Sequence, residues 1–131
     1  MALLNKANLN YTNLMESNFM YANLVDSNLS GANLRLVNFN SANLTRANLS
    51  FTTVQYSNLT NANLCNCNFF KADLYNAKLN KANLKNASFN QADLTYTNFT
   101  EAVNITTEQI KVAQNWQKAK YDKYFALKLG L

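Results

Sequence analysis

The stretch ANLVDSNLSGANLRLVNFNSANLTRANL, residues 22–49, decides the fold. Every fifth residue in it is Leu or Phe: Leu24, Leu29, Leu34, Phe39, Leu44 and Leu49. Extended in both directions, the frame holds at twenty consecutive positions from Leu4 to Phe99, filled by fourteen Leu, five Phe and one Val. A period of five is neither helical (3.6) nor that of a simple strand (2). The chain is therefore a repeat architecture and is read as one.

The residue two before each centre is small. It is Ala at twelve of the twenty positions, and Ser or Thr at most of the others, with Val37 and Cys67 as exceptions. One before the centre, Asn fills fourteen of twenty sites. The two residues after the centre vary. A small and a large apolar residue two apart point the same way in an extended segment, so both face one interior. The variable pair then turns a corner. Asn suits a position beside a turn, because its amide bonds nearby backbone, and stacked Asn amides can form ladders. There is no Pro, and Gly occurs only at Gly31 and Gly130, so the corners run without the usual turn residues.

The unit seen in Ala22-Asn23-Leu24 and Ala42-Asn43-Leu44 resembles the A(D/N)LXX pattern of the pentapeptide-repeat family, and the resemblance covers residues 2–101. Leu3, Thr53, Lys78 and Ser88 depart from it at the Asn/Asp position, and Val37 is larger than usual. The resemblance implies an all-β solenoid, a right-handed quadrilateral β-helix with four repeats per coil. A period of twenty places Phe19 under Phe39 and Phe69 under Phe89. Five coils at one inter-strand spacing each make a rod of roughly 24 Å. The expected division is a repeat domain over 1–104 and a helical cap over 105–131.

In the tail, Thr106 and Gln109 fit a capping box, and Glu108 suits a helix N-terminus. Ile110, Val112, Ala113, Trp116 and Ala119 supply an apolar side. The expected helix spans about 107–119, with a shorter piece reaching 125–129 and Gly130 as its stop. Solenoid ends need covers, so Ile110 and Trp116 are expected against the last coil. The stretch is similar to the tails of many cyanobacterial members of the family. Nothing covers the first coil, so either the chain is a piece of a longer protein or that end pairs with something.

Composition excludes more than it assigns. The formal charge is +5, with no His, no Gly-rich phosphate loop and no activated Ser or Cys. No enzymatic activity and no cofactor or metal is expected. No apolar run is long enough to span a membrane, and no signal segment precedes the repeat, so the expected location is cytoplasmic, without a membrane partner. The mild basic excess reads as solubility and argues against a nucleic-acid partner. Cys65 and Cys67 leave opposite sides of the wall and do not form a metal or disulfide pair. Asp73 and Asp93, twenty apart, would stack about 5 Å from each other, but Asp simply replacing Asn is the simpler account.

Two function classes remain. The first is an interaction scaffold for an unidentified protein partner. The second follows from the resemblance: some family members imitate DNA and bind DNA gyrase. That role needs a strongly acidic surface, which a +5 chain does not offer. Wrapped at twenty per coil, Tyr11, Met15, Leu36, Phe51, Tyr56, Phe70, Tyr75 and Tyr96 gather on the wall centred on Leu14, Leu34, Val54, Leu74 and Leu94, or on its flanking corners. The opposite wall carries Lys6, Arg46, Lys81 and Lys85 near its edges. The aromatic side is the candidate face for a partner or for self-association, with the uncovered first coil as a second candidate for self-association.

Overall fold

The computed structural model describes residues 1–131. The residue before each centre pairs in parallel with the residue twenty further on, as in Leu3 with Asn23, Asn8 with Asn28, Asn13 with Asn33 and Asn18 with Asn38. One coil therefore takes four repeats, and the rod is a right-handed quadrilateral β-helix of five coils with a helical cap. We number the walls in chain order from the centres Leu4, Leu9, Leu14 and Phe19.

Each strand is only a few residues long, because a turn follows every centre. Ala7 N–H donates to Leu4 O at 3.0 Å, and the same turn recurs at Ala22 to Phe19 and Ala62 to Leu59. The second residue after every centre sits at positive φ, from Lys6 (61°) through Tyr56 (57°) to Glu101 (60°). Positive φ at only the second turn residue is the type II pattern, which ordinarily calls for Gly or Asn there. Only Gly31 obliges with Gly. Between coils, paired residues exchange bonds above and below: Asn23 N–H reaches Ala2 O at 2.8 Å, and Leu4 N–H reaches Asn23 O at 2.7 Å. These ladders hold each coil to the next and over-determine the strained corners.

The Asn residues work in both ways anticipated. Their Oδ1 accepts the backbone N–H two residues on, as Asn38 does from Asn40 at 3.0 Å and Asn68 from Phe70 at 3.0 Å. Rungs of an amide ladder also form, with Asn33 Nδ2 donating to Asn13 Oδ1 at 3.1 Å. Inside, the centres from Leu24 to Leu94 are fully buried with the small residues beside them. Phe19 stacks on Phe39 at 5.4 Å and Phe69 on Phe89 at 5.1 Å, as the period of twenty requires. On the first coil Leu4, Leu9, Leu14 and Phe19 are only partly covered.

The tail departs from the expected helix over 107–119. Helix α1 spans Thr107–Lys111, a 3-10 turn spans Trp116–Lys118, and α2 spans Lys123–Leu129. Before α1 and between the later elements the chain keeps strand pairing: Val103 pairs with Asn83, Gln114 with Asp93 and Lys120 with Asn98. Three walls thus gain a further rung, and α1 closes over the second. The last coil offers an open ladder of N–H and C=O groups, and satisfying it outweighs continuing a helix. The capping box is present: Thr106 Oγ1 accepts Gln109 N–H at 3.2 Å, and Gln109 Oε1 accepts Thr106 N–H at 2.7 Å. Gln109 Nε2 also donates to Leu84 O and Ala87 O. Ile110 is fully buried, and Trp116 packs half-buried against the core. Tyr121 extends the fourth-wall column by stacking on Phe99 at 5.6 Å. Gly130, at φ 86°, ends α2 as expected.

Candidate interaction face

The corner geometry decides where the variable side chains go. A residue at positive φ after each centre throws its side chain outward at a corner, and its predecessor leans along the same edge. The corner between the second and third walls carries Tyr11, Gly31, Phe51 and Lys71 at positive φ, with Phe70 just before Lys71. The corner between the third and fourth walls carries Leu36, Tyr56 and Tyr96 at positive φ, with Met15, Arg35 and Tyr75 as predecessors of such residues.

The aromatic residues therefore form two ridges, one along each edge of the third wall. On the first ridge, Phe51 meets Phe70 edge to face at 5.4 Å. The Lys71 ammonium lies 5.4 Å from the Phe70 ring and 5.9 Å from that of Phe51. On the second, Tyr75 sits between Tyr56 at 5.5 Å and Tyr96 at 5.6 Å, both edge to face. The Arg35 guanidinium covers Tyr56 at 5.5 Å. Edge-to-face pairs and cation–π contacts each add a modest attraction beyond area burial and fix ring orientation. Desolvation between its two neighbours pushes the Tyr75 phenol up. Phe70 and Tyr75 are half-buried, while Tyr56 (44%), Tyr96 (55%) and Phe51 (57%) stay open to solvent.

Tyr11 is 79% exposed, and its ring lies over Gly31 on the next coil, where a Cβ would clash with it. Met15 and Leu36 are exposed beside the second ridge. The eight residues are thus on one side of the rod but do not merge into one patch. Arg35 and Lys71, which reading by type alone leaves among scattered charges, belong to the ridges. The signal that finds Arg35 is its spacing of 21 from Tyr56, one coil plus one residue.

On the opposite side two of the four basic residues, Arg46 and Lys81, are paired with carboxylates. Arg46 makes a bidentate pair with Asp26 at 2.6 and 2.8 Å, which holds the Asp26 carboxyl below its usual range. Lys81 lies 3.6 Å from Glu101. Asp73 and Asp93 do stack on adjacent coils, but each serves its own turn. Asp73 accepts from Tyr75 N–H at 3.0 Å and Gln55 Nε2 at 2.7 Å. Asp93 accepts from Thr95 N–H, Thr95 Oγ1 and Asn115 Nδ2. Burial pushes the Asp93 carboxyl up, but these hydrogen bonds and the Lys118 charge outweigh it and leave it below its usual value. Cys67 is buried and donates to Leu44 O, with burial pushing its thiol far up, while Cys65 is half-exposed on the other side of the wall.

The family model for pentapeptide repeats matches in eight copies, over residues 2–35, 22–55, 47–86 and 67–103. No curated protein sequence matches the chain. Among solved structures, a pentapeptide-repeat protein of the Arabidopsis thaliana thylakoid lumen is 26% identical with a TM-score of 0.67, covering 69% of this chain and 63% of its own. HetL, involved in heterocyst differentiation regulation in the cyanobacterium Nostoc sp. strain PCC 7120, is 25% identical with a TM-score of 0.48, over 91% of this chain and 59% of its own. QnrB1, a plasmid-mediated fluoroquinolone resistance protein, is 16% identical with a TM-score of 0.49, over 94% of this chain and 63% of its own. The chain thus spans about three fifths of the length of these neighbours. With the repeat model matched from residue 2 to residue 103 and the four-sided coil observed directly, the chain belongs to the pentapeptide-repeat family.

Proposed function

We propose that this chain is a non-catalytic scaffold that binds a protein partner through the two aromatic ridges bordering its third wall. The supporting observation is that exposed rings on a rigid rod are already fixed by their neighbours, Phe51 by Phe70 and Tyr56 by Tyr75 and Arg35. Rings held in place before binding lose little freedom on binding, which is what gives aromatic anchors their affinity. The same contacts also stabilise neighbouring coils, so the rings serve the rod in either case. The unpaired thiols of Cys65 and Cys67 suit a reducing, cytoplasmic setting. A formal charge of +5 argues against imitation of DNA, which calls for a continuous acidic surface.

The test is the double variant Phe51→Ser and Tyr56→Ser. Both positions are exposed, so the rod should fold as before by circular dichroism. In pull-down from the source organism and in sedimentation, the partner or the second copy captured by the parent chain should be lost. Capture undiminished in a folded double variant would remove this face from consideration.

A further inference from the structure

The outward face of α2 is built differently from the aromatic ridges. At about 100° per residue, the helix sorts Lys123–Leu129 into two arcs. Leu129 is buried, and Phe125 and Ala126 are half-buried, with Phe125 against Tyr121 at 5.6 Å. The opposite arc runs Lys123, Leu127, Tyr124, Lys128. Tyr124 is 72% exposed and Leu127 64% exposed, higher than Phe51 or Tyr56 on the ridges. Two apolar side chains thus stand side by side with a lysine at each border. Lys128 leans over the Tyr124 ring at 4.9 Å.

The charge around this strip is one-sided. Residues 105–131 hold five lysines against Glu108 and Asp122. The salt bridges of the protein are Arg46 with Asp26 and Lys81 with Glu101, so none of the five cap lysines is locked in one, although the charges of Lys118 and Lys111 act on Asp93 and Glu108. The Asp122 carboxylate instead accepts Glu101 N–H at 2.8 Å, and Glu108 is held by its own backbone N–H and by Thr107. Lys111, Lys118 and Lys120 are exposed on the same cap, and α1 packs against α2.

We infer that this end of the rod docks on an anionic lipid surface, with Tyr124 and Leu127 entering the headgroup boundary and the lysines facing lipid phosphates. The strip is convex and only two side chains wide. A protein would need a matching pocket to bury it, whereas a fluid interface closes around a convex ridge. Lysines on both borders can hold their ammonium groups at phosphate level while their stems lie along the apolar strip. Tyr favours that depth, with its ring in the apolar zone and its hydroxyl in water. No helix is long and apolar enough to cross a membrane, so the contact is peripheral. The expectation of no membrane partner rested on the lack of a spanning segment, which leaves a surface contact open.

The experiment is co-sedimentation of the full chain with phosphatidylcholine vesicles, with or without phosphatidylglycerol. The parent should bind only the anionic vesicles and release at high salt. Lys123→Gln with Lys128→Gln should weaken binding about 30-fold, from about 1 kcal/mol per cation near such a surface. Tyr124→Ser with Leu127→Ser should weaken it about tenfold at unchanged charge, from the lost apolar area. Lys6→Gln with Arg46→Gln, the same charge change made on the first and third coils away from the cap, should leave it unaltered. All four positions of the cap pairs are exposed, and circular dichroism checks that each variant folds. No binding to anionic vesicles overturns the inference. So does full binding by the Tyr124/Leu127 variant, or equal loss in the Lys6/Arg46 variant. Binding to soluble polyglutamate as tight as to vesicles would assign the site to an acidic polypeptide and overturn it as well.

Discussion

Asn61→Val isolates the cost of the left-handed corner. Asn61 is exposed at φ 59°, and its side chain makes no hydrogen bond, so substitution removes no packing. The backbone cannot move to relieve a clash. Asn61 N–H donates to Asn80 O at 3.0 Å, and Ala62 N–H closes the turn on Leu59 O at 3.1 Å. An L-residue in this region gives up about 1–2 kcal/mol, and Asn tolerates it better than most. Valine, with a second γ carbon, should sit at or above the top of that range, so we expect a loss of about 2 kcal/mol. Thr60→Val provides the control, one residue earlier and outside the positive-φ set. It is nearly isosteric, and the Thr60 hydroxyl has no partner, so its effect should stay within about 0.5 kcal/mol. In urea, with a slope of about 2 kcal/mol/M, Asn61→Val should lower the midpoint by about 1 M at unchanged slope. Asn61→Gly should match or slightly exceed the parent. Equal midpoints for the two valine variants would refute the claim that these corners store backbone strain.

Leu64→Ala should cost about 2–5 kcal/mol by the same urea assay, towards the upper end, because ladder bonds above and below hold the coil open around the void. Ending the chain at residue 105 should remove the rungs at Gln114 and Lys120 and uncover Phe89 and Phe99, giving aggregates by light scattering; a soluble monomer of full ellipticity would contradict the cap's role. A thiol reagent should label Cys65 alone in the folded protein and both cysteines in denaturant, since Cys67 is buried with its thiol shifted up.

The rod was legible because its core is written in every repeat. Leu24, Asn23 and Ala22 each announce a role that recurs twenty residues later, and the structure keeps all three. The corners were legible in part. The first variable position accepts β-branched residues, at Val25, Thr45, Thr60, Thr95 and Thr100, while the second has none in twenty copies. That exclusion is the mark of positive φ, and treating both positions as freely variable passes over it. The tail was misjudged for another reason. The spacing of Ile110, Ala113 and Trp116 suits a helix, but the free edge at Asp93 and Asn98 recruits Gln114 and Lys120 as strands. No window of the tail contains that demand, because it comes from the coil below, 21 or 22 residues earlier.

The same separation explains why the fold speaks louder than the function. Three of every five residues are committed to building the rod, which leaves recognition to the two corner residues and the tail. Their meaning depends on neighbours one coil away, at spacings of 19 or 21: Tyr56 gains its ring partner from Tyr75 and its cation from Arg35, and Phe51 gains Phe70. A single corner residue is therefore uninformative, and only the wrapped chain shows which ones act together. The two surfaces proposed above differ in chemistry. The ridges are aromatic and already ordered, suited to a structured partner, while the cap is a lysine-bordered apolar strip suited to an anionic interface. The second ridge runs up to the cap, because Tyr96 lies between Asp93 and Asn98, the rungs that pair with Gln114 and Lys120, so binding at one surface should be measured with the other both intact and mutated.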